Sequence, residues 1–157
     1  MEDYIGTKII GAERAQKHTC TTADCPEGVE GYKVVYSNPD GSTYESWSPK
    51  DVFEATYRSS GNLSFGHAIE YLKLGHKVAR SGWNGKGMFL VLQTSTPEIK
   101  PYHGSCYANA LQGIKETVTI DAHIDMYTAQ GTFQPGWLAS QADMLSNDWQ
   151  IIQEGNL

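Results

Sequence analysis

Alternating apolar and polar residues in the second half of the chain predict a long, half-buried β-strand. The alternation runs through residues 118–127, and a strand points successive side chains to opposite faces. A glycine turn then leads to a second strand at residues 132–134. Residues 88–92 form an apolar run, which predicts a strand buried on both faces, and residues 149–152 predict a closing strand.

Helices are indicated by apolar residues at helical spacing and by residues suited to helix ends. Ser64 is a suitable N-cap for a helix, and Gly75 is a suitable terminator. Ser140 and Asp143 have the spacing of a capping box, which predicts a short helix. Residues 95–113 are rich in Pro, Tyr and Gly, and we expect them to be irregular. The second half is therefore predicted to be an α+β fold with a small antiparallel sheet and short helices.

The first half is predicted to be a β-hairpin followed by a helix. Residues 38–41 have the composition of a hairpin turn, and Ser48 is the predicted N-cap of the helix. Residues 59–62 have the composition of a short linker. We therefore predict two domains, an N-terminal module at residues 1–62 and a larger domain at residues 63–157.

Charge and composition exclude several classes of function. The formal net charge is −6, so nucleic acid, which requires a broad basic surface, is not an expected partner. No apolar run is long enough to span a bilayer, and residues 1–4 lack the start of a signal peptide. Three cysteines cannot all pair, which is compatible with a reducing cytoplasm. Basic residues without acids between them occur at residues 73–86, and this patch is suited to a small anion.

Catalytic and metal-binding motifs are not evident in the sequence. It has no nucleophile elbow, no Walker loop and no zincin motif, and its glycines precede a strand rather than join a strand to a helix. His18, Cys20 and Cys25 could supply three zinc ligands, but a fourth at usable spacing is missing, so we expect a loop without metal. We therefore predict a protein that is not an enzyme and needs no cofactor.

The loop before the apolar run at residues 88–92 contains most of the candidate binding residues. Arg80 and Lys86 are positively charged, Trp83 offers an aromatic face, and Asn84 and Gly85 lie between them. Glycine lets the backbone approach a ligand closely, and an indole beside cations suits a flat ring attached to phosphates. The alternatives are that Trp83 only seals the core and that the two cations are ordinary surface charges.

Four residues further along the chain are candidates for the same site. Trp137 could stack on a ligand or serve as a hydrophobic staple before the short helix. Ser140 could offer its amide to a phosphate, whereas Asp143 is expected to meet a ribose hydroxyl or the backbone. Asp125 is predicted on the solvent-facing side of the long strand, with Asp121 and His123. A buried pairing of Arg80 with Asp125 or Asp143 is the structural alternative to phosphate binding.

Residues 63–153 resemble the second family of Thoeris anti-defence proteins, which are small phage-encoded proteins. The resemblance rests on ordered motifs at residues 65–69, 72–75, 78–89, 123–126 and 135–145. The first half resembles a small phage module of unknown function, through residues 4–10, 31–32 and 46–53. That weaker resemblance implies no activity.

The family resemblance implies a sponge for an immune signal. Family members bind a cyclic ADP-ribose isomer, the signal that Thoeris immunity makes from NAD, and do not cleave it. Their pockets lie at subunit interfaces of a homotetramer built as a dimer of dimers, and some members are thought to hold cyclic dinucleotides at a separate site. The resemblance also implies that the protein acts in the cytoplasm of the infected bacterium, and that Tyr102 and Tyr107 lie near a neighbouring subunit.

Two other classes of function stay open at this level. The chain could be an enzyme that hydrolyses the cyclic signal, or it could bind a host protein through Trp83 and Trp137 as interface anchors. Recovery of intact ligand from a heated complex would exclude the enzyme. A co-purifying host chain without a small-molecule ligand would favour the protein binder.

Overall fold

The computed structural model describes residues 8–16 and 29–152, with Gln16 described only in its backbone. The chain divides into two compact units, Met1–Ser59 and Ser60–Leu157. Strands pair in antiparallel sheets and the helices are short, so the α+β prediction is confirmed. No helix in the described ranges is both long and apolar enough to cross a membrane.

The first unit is a three-stranded antiparallel sheet with one helix. Its elements are β1 (Gly11–Gln16), β2 (Glu30–Ser37), β3 (Thr43–Pro49) and α1 (Lys50–Thr56), and the sheet order is β1-β2-β3. The predicted hairpin turn is present, and Gly41 supplies its positive φ of 83°. Phe53 of α1 stacks on Tyr32 of β2 with ring centroids 4.0 Å apart, which fixes the helix on the sheet.

The picture predicted for the first unit needs two corrections. Ser48 lies in β3, and the N-cap position of α1 is Pro49, which makes no side-chain capping bond. Pairing with β2 extends β3 up to the helix, and a local capping pattern does not contain that information. Strand β1 was not predicted; its apolar content is low, and its pairing with β2 defines it as a strand.

The second unit is built around a five-stranded antiparallel sheet. Its elements are α2 (Phe65–Lys73), β4 (Lys77–Arg80), β5 (Phe89–Gln93), β6 (Thr96–Ile99), α3 (Cys106–Ala110), β7 (Val118–Ile120), β8 (His123–Tyr127), β9 (Phe133–Gln134), α4 (Gln141–Met144) and β10 (Trp149–Ile152). The sheet order is β10-β4-β5-β8-β9, and β6 pairs with β7 in a separate two-stranded sheet. The prediction of a closing strand at residues 149–152 is confirmed by β10.

Helix α2 packs on the sheet and encloses the core of the second unit. Ser64 caps the helix by accepting a hydrogen bond from the His67 backbone N–H, and Gly75 follows its end with a φ of 87°, as predicted. The core cluster contains Leu63, Ala68, Leu72, Val78, Leu90 and Trp149. Trp149 is fully buried, and its backbone bridges to Leu63.

The prediction of one long strand at residues 118–127 is wrong, because the structure has two strands in this range. Strand β7 pairs with β6, whereas β8 pairs with β5 in the main sheet. The alternation is continuous across the break, but the pairing partner changes at residues 121–122, and periodicity cannot reveal a change of partner. Residues 95–113 are likewise not wholly irregular, since they contain β6 and α3.

Candidate functional site

Two segments of the second unit come together beside β4 and β10. One is the loop at residues 81–87, which joins β4 to β5, and the other is the stretch 135–148, which includes α4. Hydrogen bonds from Arg80 and Trp83 to Asp143 connect the two segments directly. The structure therefore brings Arg80 and Trp83 into one cluster with Asp143, which lies sixty or more positions further along the chain.

Arg80 is held by two carboxylates rather than presented to solvent. Its Nη1 donates to Asp143 Oδ1 at 2.8 Å, and its Nε donates to Asp148 Oδ1 at 2.8 Å. The Arg80 side chain is only 16% exposed. The hydrogen bonds that Arg80 donates to Asp148, first, and to Asp143 raise the pKa of Arg80. The structure thus gives Arg80 the pairing with Asp143 considered as the alternative, and adds a partner that the sequence analysis did not identify.

Asp143 is the common acceptor of the cluster. Its Oδ1 accepts from Arg80 and from Trp83 Nε1, and its Oδ2 accepts from the hydroxyl and the backbone N–H of Ser140. The predicted capping box between Ser140 and Asp143 is confirmed. Because the Ser140 amide donates to Asp143, it is not the free phosphate donor that we expected. Asp143 accepts a hydrogen bond from the Ser140 backbone N–H, and contact with the backbone was one of the two roles expected for it.

Asp148 lies on the other side of Arg80, just before β10. It accepts hydrogen bonds from the Gly82 backbone N–H at 2.8 Å, from Ser81 Oγ at 3.4 Å, and from Ser146 Oγ. Hydrogen bonds from Arg80, above all, hold the pKa of Asp148 well below its usual range, although burial opposes this. No periodicity or motif signals this residue in the sequence, because Arg80, Ser81 and Gly82 are more than sixty residues away.

Trp83 is half-buried and packs on the core, as in the alternative considered for it, but part of its ring remains exposed. Its ring lies 5.5 Å from Trp149 and 6.3 Å from Trp137, both in edge-to-face geometry. Its Nε1 donates to Asp143 at 3.1 Å, so its orientation is fixed at the polar end as well. Trp137 is also half-buried and contacts Trp149 and Phe65 edge to face. The two partly exposed indoles of Trp83 and Trp137 therefore form one rigid aromatic group.

The rest of the loop combines exposed polar side chains with one tightly packed glycine. Asn84 and Lys86 are exposed. A Cβ added at Gly85 would collide with the Met88 side chain and lie 3.0 Å from the Ala129 Cβ, so a larger residue there would displace Met88. The loop thus presents Asn84 and Lys86 to solvent from a fixed base.

Asp125 does not lie on a solvent-facing side, and this prediction is wrong. Asp125 is 5% exposed and accepts a hydrogen bond from the Gly136 backbone N–H at 3.2 Å. His123 Nε2 approaches its carboxylate at 3.5 Å. The turn at Gly136 covers Asp125, so the side chain supports the segment that carries Trp137 rather than pairing with Arg80.

A zinc site could not be found in the described part of the chain. Residues 8–16 and 29–152 contain no group of three or more His, Cys, Asp or Glu side chains placed to hold a metal ion. His18, Cys20 and Cys25 lie outside the described residues.

We expect the second unit to lose stability as the pH falls from about 5 towards 2. Burial alone would raise the pKa of Asp143, but hydrogen bonds from Ser140, Arg80 and Trp83 outweigh it and lower the pKa from 3.8 to about 2. A carboxyl whose pKa is lowered on folding stabilises the folded state at pH values above the pKa it has in the unfolded chain. This contribution disappears as the pH falls through the pKa of the folded state. For Asp143 the loss is about 2 kcal/mol. Urea unfolding, followed by tryptophan fluorescence between pH 6 and pH 2.5, measures it.

Asp143→Asn is the control for this pH dependence. The variant is less stable at pH 6, but its free energy of unfolding depends less steeply on pH below 5, because one of the titrating groups is gone. An equal slope in the variant and the wild-type protein would show that Asp143 is not the responsible group.

Comparison with known proteins places these residues inside a known type of domain. A family model described as the Thoeris anti-defense 2-like domain matches residues 63–152, and this range contains the whole Arg80–Asp143–Asp148 cluster. The chain is also similar to Thoeris anti-defense 2 of Bacillus phage SP01, with 40% identity over 90 residues. That match covers 57% of this chain and 94% of the phage protein. The resemblance inferred from the sequence motifs is confirmed: the chain belongs to the Thoeris anti-defense 2-like family.

Proposed function

We propose that this protein counteracts Thoeris immunity by binding a cyclic ADP-ribose isomer and sequestering it without cleavage. The observation that carries the proposal is the loop at residues 81–87, where the half-buried Trp83 is followed by the exposed Asn84 and Lys86. Membership of the family supports an anti-defence role, and the loop offers the groups that a nucleotide requires. An indole can stack on adenine, and an exposed lysine can meet a phosphate.

The pairing of Arg80 changes which residues we assign to the phosphates. Arg80 lies between two carboxylates, so the cluster of one cation and two anions does not attract a further anion. We assign phosphate contact to Lys86, with Asn84 as a hydrogen-bonding partner, and assign Arg80 and Asp143 to holding the loop. Trp83 and Trp137 supply the aromatic surface.

A sponge must bind its signal tightly, which sets a minimum binding free energy for this site. Sub-micromolar binding corresponds to more than about 8 kcal/mol. A base stacked on an aromatic ring contributes about 1–3 kcal/mol, and a hydrogen bond to a charged group contributes about 1.5–3 kcal/mol. These contributions reach the required affinity only in a preorganised site from which water is excluded. A pocket completed by a second subunit would meet that condition.

Apolar residues beside the site support assembly into the proposed homotetramer. Leu138 is 89% exposed and Leu145 is 79% exposed, and both belong to the segment that carries Trp137 and α4. Tyr102 and Tyr107, which we expect near a neighbouring subunit, are also exposed. Two largely exposed leucines on one short segment supply apolar surface that a protein interface would cover.

Substitution of both Leu138 and Leu145 by glutamate should break this assembly. Two charges in an apolar interface prevent its burial, so we expect a chain mass near that of the monomer in light scattering and a loss of ligand affinity. Leu74→Glu is the matched control, because Leu74 is 63% exposed at the end of α2, outside the 135–148 segment. Unchanged mass in the double variant would exclude this surface as the interface.

Calorimetry against cyclic ADP-ribose isomers and cyclic dinucleotides tests the proposed function. We expect one isomer to bind with sub-micromolar affinity and to be recovered intact after the complex is heated. Recovery of an opened product would identify a hydrolase instead. Absence of binding to every compound, together with a host protein that co-purifies, would replace the sponge by a protein-binding function.

A further inference from the structure

We propose that Asp148 is a positioning residue of the ligand site. Its carboxylate fixes the start of the 81–87 loop and thereby sets where Trp83, Asn84 and Lys86 stand. This inference rests on the proposed binding function. The hold on the loop is nevertheless a property of the folded chain, and it can be measured without any ligand.

Asp148 bonds to three consecutive residues at the end of β4. Arg80 Nε donates to Asp148 Oδ1 at 2.8 Å, the Ser81 backbone N–H donates to the Asp148 carbonyl oxygen at 3.1 Å, and the Gly82 backbone N–H donates to Asp148 Oδ2 at 2.8 Å. Both carboxylate oxygens are thus acceptors for donors on the same short stretch. A side chain that accepts at only one atom could not make the same set of bonds.

Gly82 is matched to this carboxylate by its lack of a side chain. A Cβ added at Gly82 would lie 2.7 Å from Asp148 Oδ2, closer than an unstrained contact allows. A side chain at residue 82 would therefore displace the carboxylate from its present contact with the backbone N–H of residue 82. Gly82 and Asp148 share one contact, and a substitution of either residue should disturb it.

Through Arg80, Asp148 also fixes the indole of Trp83, in addition to the backbone of the loop. Asp148 fixes Arg80, Arg80 Nη1 donates to Asp143, and Asp143 accepts from Trp83 Nε1. Trp83 is thus held at two points, through the preceding Gly82 backbone and through its own ring nitrogen. Loss of Asp148 releases the first point and leaves Arg80 with one carboxylate, so the ring loses much of its fixed orientation.

A double-mutant cycle on the full-length protein tests whether Asp148 and Gly82 act through their shared contact. The variants are Asp148→Ala, Gly82→Ala and the double substitution, and the probes are cyclic ADP-ribose and its isomers in calorimetry. We expect each single variant to lose affinity on the order of tenfold or more, because misplaced binding groups are costly. The double variant should bind about as weakly as Asp148→Ala alone. Multiplication of the two single losses would overturn the shared-contact explanation.

Amide hydrogen exchange separates positioning of the loop from general stabilisation of the fold. In ligand-free Asp148→Ala, we expect faster exchange at Gly82 and Trp83, while Val78 and Leu90 in the core strands keep wild-type protection. Equal acceleration at all four amides would show a merely structural role and overturn the proposal. If Asp148→Ala does not fold, Gly82→Ala provides the same measurement.

Glu70→Ala is the matched control for the loss of a carboxylate. Glu70 pairs with Lys73 at 2.7 Å on the exposed face of α2, and its removal should change neither loop exchange nor affinity. Failure of the wild-type protein to bind any compound would refute the proposed function. In that case, the exchange data would still show whether Asp148 fixes the loop.

Discussion

Arg80→Ala should lower the free energy of unfolding of the second unit by about 3–5 kcal/mol. The substitution removes the cation from between Asp143 and Asp148, whose side chains are 12% and 28% exposed. Two carboxylates would then remain close together, poorly hydrated and without their partner. Urea denaturation, followed by tryptophan fluorescence at neutral pH, gives the free energy of unfolding.

Lys86→Ala is the control that separates stability from ligand binding. Lys86 is exposed, so its removal should change the free energy of unfolding by less than about 0.5 kcal/mol while weakening binding in a salt-dependent manner. Arg80→Lys should fall between wild type and Arg80→Ala, because an ammonium group cannot donate to both carboxylates in the same fork geometry. Wild-type stability of Arg80→Ala would mean that the ion pairs do not hold the loop.

Trp83→Ala should lower ligand affinity by about 10- to 100-fold, the effect expected when one stacked base loses its aromatic surface. Trp83 is half-buried, and its ring is fixed by Trp137, Trp149 and Asp143, so stacking would cost little side-chain entropy. Trp83→Phe keeps an aromatic face but loses the N–H bond to Asp143, and we expect a smaller loss. Calorimetry with the best-bound cyclic ADP-ribose isomer measures both variants.

Trp47→Ala provides the comparison for removal of an indole elsewhere in the protein. Trp47 belongs to β3 of the first unit, so its loss should alter the stability of that unit and leave affinity unchanged. If Trp83→Ala binds as tightly as the wild-type protein and remains folded, the stacking assignment must be abandoned.

Local sequence patterns predicted the elements whose structure is locally determined. Ser64 and Gly75 delimit α2, the capping box at Ser140 and Asp143 begins α4, and residues 38–41 form the hairpin turn. In each case the stabilising contact joins residues a few positions apart. Such contacts are encoded in the spacing of residue types along the chain, and the sequence is sufficient to predict them.

Features that depend on distant partners could not be predicted in this way. Asp148 lies 68 positions from Arg80, and nothing in its surroundings signals an ion pair. The burial of Asp125 follows from the turn at Gly136, which folds back over β8. The break between β7 and β8 reflects two different partner strands. These outcomes depend on tertiary pairing, which overrides the local pattern.

The candidate site shows the same difference between features that the sequence predicts and features that depend on distant partners. The segments selected from the sequence do come together, since Arg80, Trp83 and Asp143 form one cluster. The pairing of Arg80 with Asp143 was only an alternative to phosphate binding, and Asp148 was not considered, because the choice between a ligand and an internal partner depends on distances that the sequence does not contain. The roles of Trp83, Trp137, Asn84 and Lys86 in binding remain predictions.

The position of Trp149 constrains how the second unit forms during synthesis. Residues 60–148 leave the ribosome before the side chain at the centre of their core, and Leu63 must wait for Trp149 to complete its backbone bridge. Strand β4 likewise lacks its neighbour β10 until then. The unit therefore cannot complete its core from its N-terminal side alone. The core and the β4 edge of the sheet are completed only in a late step, after Trp149 has been synthesised.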